Sequence, residues 1–381
     1  MDSRASSQPG QSTPDTIKSN RFVNWLNRNA GNVFILPSVL IVLLLSIFPL
    51  IISAYLALTR VQFVPGGFDI TFVGLANFKK LIDGSEKRHF RGDLEALAPY
   101  QWLIVAAALL LLVYALWRYI RSDGFRIGGL IYRAITFSIL GWGVYFVMQN
   151  LSPEGRPGTV VVTLIYVFVG LFVQYFIGLG LALLTTQNLP GKRFFRVIFL
   201  LPMMITPVGV GYTFRMMTDT SKGPLEPLWA LLGLKGFSWV TDAWGARWAV
   251  IITDTWQWTP FIFIILLAAI EGLPNELFEA AVVDGANRWQ IFWNITLPQI
   301  IPVSATVILI RMIEAFKIID LPNVLTFGGP GTATESLTLH SFFAWRTLDI
   351  GGSAAIAYML MLLSLFICIS YTILIYQKVG R

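Results

Sequence analysis

Glu279-Ala280-Ala281-Val282-Val283-Asp284-Gly285-Ala286, followed after a short amphipathic run by Ile295-Thr296-Leu297-Pro298, is a polar, helix-compatible island between two apolar segments of membrane-spanning length. Such an island is where a membrane protein meets something in water. Pro274 suits a first helical turn, and Glu276 and Glu279 place negative charge near that helix's positive end. Ala280 and Ala281 let a partner surface approach closely, and Gly285 permits a sharp bend. Beyond it Trp289, Phe292 and Trp293 recur at helical spacing, fit to lie against the membrane face or neighbouring spans. The spacing predicts two short helices at an angle, one displaying a knob. Spacing alone also fits an ordinary interfacial helix pair joining two spans.

The composition around the island sets the class. With 55% hydrophobic and 13% charged residues over 381 positions, and a mean hydropathy of +0.67, no soluble single core hides so much apolar surface. The chain reads as all-α and polytopic, with about eight transmembrane helices. The spans fall near residues 33–59, 100–119, 127–149, 158–186, 195–216, 247–271, 299–319 and 353–377. Tyr100 and Trp102 at one end of the second span, and Trp117 and Tyr119 at the other, suit interfacial anchors. The net charge of +7 lies in short clusters beside the spans, which argues for topology and against nucleic acid.

Short loops report orientation. Arg118, Arg121 and Arg126 join spans two and three; Lys192, Arg193 and Arg196 lie between four and five; Lys378 and Arg381 follow the last. All fall on one side, together with Lys18, Arg21 and Arg28, so both termini are expected in the cytoplasm of a multi-pass inner-membrane protein. Counting spans puts Glu279 there too. Residues 1–32 read as a disordered cytoplasmic tail, rich in Ser, Gln and Pro at its start, with no cleavable signal. After span one, Gly74-Leu75-Ala76-Asn77-Phe78-Lys79-Lys80-Leu81 suits a short amphipathic helix on the outer surface.

The order Glu279-Ala280-Ala281, three residues, Gly285, then Ile295-Thr296-Leu297-Pro298 resembles the EAA loop of ABC importer permeases. Lys192-Arg193-Phe194-Phe195-Arg196 with Leu200-Leu201-Pro202, Leu325-Thr326-Phe327-Gly328-Gly329-Pro330 and Gly74-Leu75-Ala76-Asn77-Phe78 are similar to segments of the carbohydrate importers of the maltose-transporter type, with a lean toward the α-glucoside branch. The resemblance implies a permease core over residues 150–381, peripheral helices over 33–149, and a coupling role for Glu279, Ala280, Ala281, Asp284 and Gly285. It also implies a second permease subunit, two ATPase subunits holding ATP and Mg, and an extracytoplasmic sugar-binding protein, with no cofactor in this chain. The extra pair of spans within 99–150 departs from the common six-span version.

Charge inside the membrane points to a route. Asp254 in span six and Arg311, Glu314 and Lys317 in span seven would each be costly facing lipid, by at least ~2.5 kcal/mol at the centre, so they are expected to face the bundle interior. The steps of three from Arg311 to Glu314 to Lys317 allow pairing along one face, as a structural ladder or as a substrate path. Sugars bind through flat apolar faces and directional hydrogen bonds, which singles out Trp256, ahead of Trp258, among Thr255, Gln257 and Thr259, and Tyr212 in span five. Pro260 is expected to open its helix locally.

Other chemistry finds little support. The sequence has no G-x-x-x-x-G-K-[ST] pattern and no nucleophile with a base beside it, so it does not read as an enzyme. His89 and His340, the two histidines, are assigned to different outer loops, which argues against a metal cluster. The alternative is a single-subunit, ion-coupled secondary transporter using Asp254, Glu314 and Arg311 as a proton relay. A membrane-embedded enzyme comes third.

Overall fold

In the computed structural model, residues 21–121, 127–187, 190–234 and 238–379 are described, without side-chain detail for 21–30, 33 and 376–379. The disordered tail expected for residues 1–20, and Lys18, Arg126 and Arg381 of the charge argument, lie outside them. Packing divides the chain between Tyr55 and Leu56, and each unit is described by itself.

The first unit is helical from Arg21, where the sequence predicts tail, and passes through a π-turn at Leu43–Ile47. Its membrane-length stretch, α1 (Phe34–Ala57), runs past the division between the units and buries none of its apolar window. Such a surface is stable only against lipid or a partner.

The second unit begins with a hairpin, β1 (Thr59–Val64) and β2 (Gly67–Phe72), paired in antiparallel register from Thr59↔Phe72 to Val64↔Gly67. Pro65-Gly66 is the turn signal, set between β-branched and aromatic residues. Two short helices follow, α2 (Ala76–Ile82) and α3 (Lys87–Arg91). Asn77 fixes the first: its side-chain amide donates to Ala57 O and Thr59 O at 2.9 and 2.8 Å.

The remaining helices are α4 (Pro99–Ile120), α5 (Ile127–Asn150), α6 (Thr159–Thr185), α7 (Lys192–Met204), α8 (Pro207–Met217), α9 (Glu226–Leu231) and α10 (Ala243–Glu271). Beyond them come α11 (Asn275–Val283), α12 (Arg288–Phe316), α13 (Asp320–Thr326), α14 (Leu337–Arg346) and α15 (Ile350–Val379). Among the described residues seven helices are long and apolar enough to cross a membrane, or eight if the α7–α8 pair counts as one span. The fold is thus helical and polytopic, with only small two-stranded sheets.

Three differences from the expected spans have local causes. The fifth is no straight rod: α7 and α8 meet at 98°, where Ile205 and Thr206 leave the helix between Pro202 and Pro207. By contrast α10 continues as one helix through Pro260, where the residues that follow, Ile262, Phe263 and Leu266, pack into the core with α6 and α12. The seventh span starts at Arg288, near the island, and passes through a π-turn at Phe292–Thr296 ahead of Pro298 and Pro302. The second short helix expected after Gly285 is therefore the first turn of a membrane helix.

The main core lies among α6, α10 and α12. Val167, Leu171, Leu179 and Ala182 meet Ile262, Phe263, Leu266, Ile300, Val307, Met312 and Phe316 there, with Leu360, Leu363 and Ile367 of α15 alongside. At Gly178 the backbones come close enough that an added Cβ would lie 2.9 Å from Ile262 Cγ2. The α4–α5 hairpin is different: Leu103, Leu110, Leu111 and Trp142 stand exposed, while Gln101 donates to Met148 O at 3.0 Å to join the two helices. Ser152 Oγ donates to Ala96 O and Phe146 enters a second core with Val161, Tyr166, Val250 and Leu325, which fastens the hairpin to the rest.

Candidate functional site

Three features gather the chemistry. The first is the island loop. Pro274 precedes α11 with no N–H to leave unsatisfied, and Glu276 stands in its first turn. The helix ends in a Schellman motif: Ala286 N donates to Ala281 O at 2.9 Å and Gly285 N to Val282 O at 3.1 Å, with Gly285 at φ +76°. Asn287 then opens α12 through a capping box. Its Oδ1 accepts from Gln290 N at 2.9 Å, and its own N–H donates to Gln290 Oε1 at 2.7 Å. Gly-Ala-Asn-x-x-Gln therefore encodes a stop, a turn and a restart within six residues.

Of the residues assigned to coupling, Glu279, Ala280, Asp284 and Gly285 are exposed, while Ala281 is buried. Sequence reasoning passed over the neighbours that project furthest: Val282 is 65% and Val283 87% exposed. The short helix thus ends in two exposed valines beside a backbone-bonded Schellman turn. Nearby, Arg196 at the start of α7 donates to Thr185 O at 2.9 Å and pairs with Glu271 at the end of α10. Arg196 entered the sequence argument only as a topological charge; its partners lie 11 and 75 positions away.

The second feature is a polar network in the membrane core. Asp254 on α10 and Arg311 on α12 are both buried and ion-paired to each other. Gln174 of α6 completes the set, donating from Nε2 to Asp254 Oδ2 at 2.7 Å and accepting from Arg311 Nε at 2.8 Å. Trp258 lies against the guanidinium, 4.8 Å from ring centroid to Cζ. The network sits beside a π-turn in α6, Tyr166–Gly170. Of the two steps expected along α12, Glu314 to Lys317 is made, at 2.7 Å at the exposed end of the helix, and Arg311 to Glu314 is not, because Arg311 turns to α6 and α10. Cross-helix partners outbid the i,i+3 neighbour because they bury the charge with full compensation. Asp254 and Arg311 face the interior as expected; Glu314 and Lys317 do not.

The third feature is an open cleft of about 570 Å³ between α6, α7 and α10, lined by Trp248, Thr255, Trp256, Thr259, Pro260 and Pro202 among others. Trp256 is partly exposed into it, with Phe214 of α8 at 5.4 Å between ring centroids. Gln257 reaches from α10 to the α7–α8 break, donating to Ile205 O at 3.2 Å. Among the described residues, Gln257 Oε1 and Thr255 Oγ1 are buried with no hydrogen-bond partner. Tyr212 is exposed on α8 and does not line the cleft.

The island, the broken helix and the buried helix that carries Asp254 all fall within one matched region. Residues 174–377 match the family described as the inner membrane component of binding-protein-dependent transport systems. The chain belongs to that family. It is a multi-pass inner-membrane transport permease. The trehalose/maltose transport system permease protein MalF of Thermococcus litoralis is 34% identical over 220 residues, covering 58% of this chain and 73% of the relative. The sulfoquinovosyl glycerol transport system permease protein SmoG of Agrobacterium fabrum is 30% identical over 287 residues, 72% of this chain and 90% of that one. In fold, the chain is similar to a subunit of a bacterial alginate ABC transporter crystallised with a pentasaccharide-bound periplasmic protein. The TM-score is 0.52 at 21% identity, over 72% of this chain and 93% of that chain. The fold class read from the sequence, an ABC importer permease, stands.

Proposed function

We propose that this permease is one half of the translocation pathway of an ATP-driven sugar importer of the maltose-transporter type. Its α11 helix seats in an ATPase subunit that holds ATP and Mg, and both chain termini lie on that side of the membrane. A second permease completes the pathway, a second ATPase the engine, and an extracytoplasmic binding protein delivers sugar. The relatives named for trehalose/maltose and for sulfoquinovosyl glycerol favour carbohydrate as cargo. The α6–α7–α10 cleft suits it, with Trp256 as a flat apolar face and the Thr255 hydroxyl, which has no hydrogen-bond partner among the described residues, as a polar group on its wall.

One observation carries the coupling role. Val282 and Val283 project from a helix whose start and end are both fixed, next to an Arg196–Glu271 pair that joins the ends of neighbouring spans. The test is Val283→Asp in the assembled complex, reading sugar-stimulated ATP hydrolysis in liposomes. A charge in an apolar docking contact is expected to lower it by about tenfold or more, the equivalent of about 1.4 kcal/mol. Stimulation equal to the parent would overturn the role given to α11.

A further inference from the structure

The two histidines, assigned by sequence to separate loops, are stacked on one another. His89 on α3 and His340 on α14 have ring centroids 3.9 Å apart and planes at 30°. Glu86, one residue before α3, brings its Oε2 to 3.6 Å from His89 Nδ1. One candidate ligand atom from each of Glu86, His89 and His340 lies within 4.8 Å of the others. Around a tetrahedral ion with bonds of about 2.0–2.1 Å, ligand atoms stand roughly 3.3 Å apart, so modest tightening brings the three into range. The rings would part by about 1 Å to share one ion.

Behind both histidines stand groups that would set their tautomers. Glu335, buried, places Oε2 3.0 Å from His89 Nε2, and Thr159 Oγ1 lies 3.3 Å from His340 Nδ1. Thr159 can hold the proton of His340 Nδ1, and the nearby Glu335 carboxylate favours the His89 proton on Nε2 by charge, so that His340 Nε2 and His89 Nδ1 keep their lone pairs. The packing also leaves polar atoms wanting. The His89–Glu335 approach is off the line a hydrogen bond needs, and His89 Nε2 and Glu335 Oε1 are both buried without a bonded partner among the described residues.

Access is open. An outer cleft of about 240 Å³ is lined by Glu86, His89 and His340 together with Asn77, Lys80 and Asp349. Lys80 is the nearest cation, 3.8 Å from the other Glu86 oxygen, but Asp349 holds it at 2.9 Å, which leaves Glu86 Oε2 to the site.

We propose that Glu86, His89 and His340 bind a divalent transition metal, with Zn²⁺ the best match to two imidazoles and one carboxylate. An ion there would tie α3 to α14, two elements otherwise joined through Phe90 and Leu337 in one apolar cluster. The inference is independent of the cargo and of the ATPase contact. The full-length chain, stripped with chelator in nanodiscs, is titrated with Zn²⁺ alone by calorimetry and its thermal unfolding followed. One ion per chain is expected, with a rise in Tm; His89→Gln, His340→Gln and Glu86→Gln each remove a ligand and are expected to weaken binding by more than the roughly 10–100-fold that loss of an outer-shell partner costs. Glu86 is partly exposed, so its variant folds even if the histidine variants do not. No uptake by the parent chain, or Zn²⁺ affinity and Tm rise unchanged in Glu86→Gln and His89→Gln, would overturn the site.

Discussion

The Gln174–Asp254–Arg311 network and the Asn275–Val283 helix stand at the two ends of the same problem, and the chain solves them oppositely. In the network every charged group is answered by another side chain of the same protein, across three helices. On the short helix the last carbonyls are answered by the Schellman turn at Gly285, while Val282 and Val283 beside it stand exposed. The first set of contacts is closed within the protein; the second leaves an apolar surface open.

The sharpest way to break this contrast is Arg311→Met. It leaves Asp254 buried with Gln174 but without its opposite charge, for an expected loss of about 3–5 kcal/mol in detergent unfolding, and the double variant Asp254→Leu with Arg311→Met should recover most of it. A single variant as stable as the parent would mean that the pair is not buried. A smaller effect is expected of Gly285→Ala. An added Cβ meets no atom within 4 Å, so only the positive φ is penalised, by about 1 kcal/mol, and amide exchange should rise at Ala286 first. Smallest is Val283→Ser, which should change unfolding by less than about 0.5 kcal/mol, because the side chain touches nothing in this subunit. A loss above 1 kcal/mol there would blur the distinction between the two regions.

The legible parts were those encoded over short sequence distances. The Glu279–Gly285 loop needed only neighbours a few residues apart, and the long apolar runs announced seven helices directly. What sequence pattern missed lay in long-range pairing. Arg311 was matched to Glu314, three positions on, whereas its partners are 57 and 137 positions away. Gln174, a neutral residue in an apolar run, gave no signal at all. His89 and His340 are 251 positions apart by number, and nothing short of the folded chain shows that their rings stack. Prolines misled for another reason. Each lacks the same N–H, but the helix continues through the buried Pro260, while Pro202 and Pro207 flank a bend of 98°.

The Arg196 side chain closes a small triangle, touching the last turn of one membrane helix, the last turn of another and anchoring in the first turn of a third. Glu271 lies four positions before the short helix, so the same side chain that ties three membrane helices also reaches the root of the Asn275–Val283 segment.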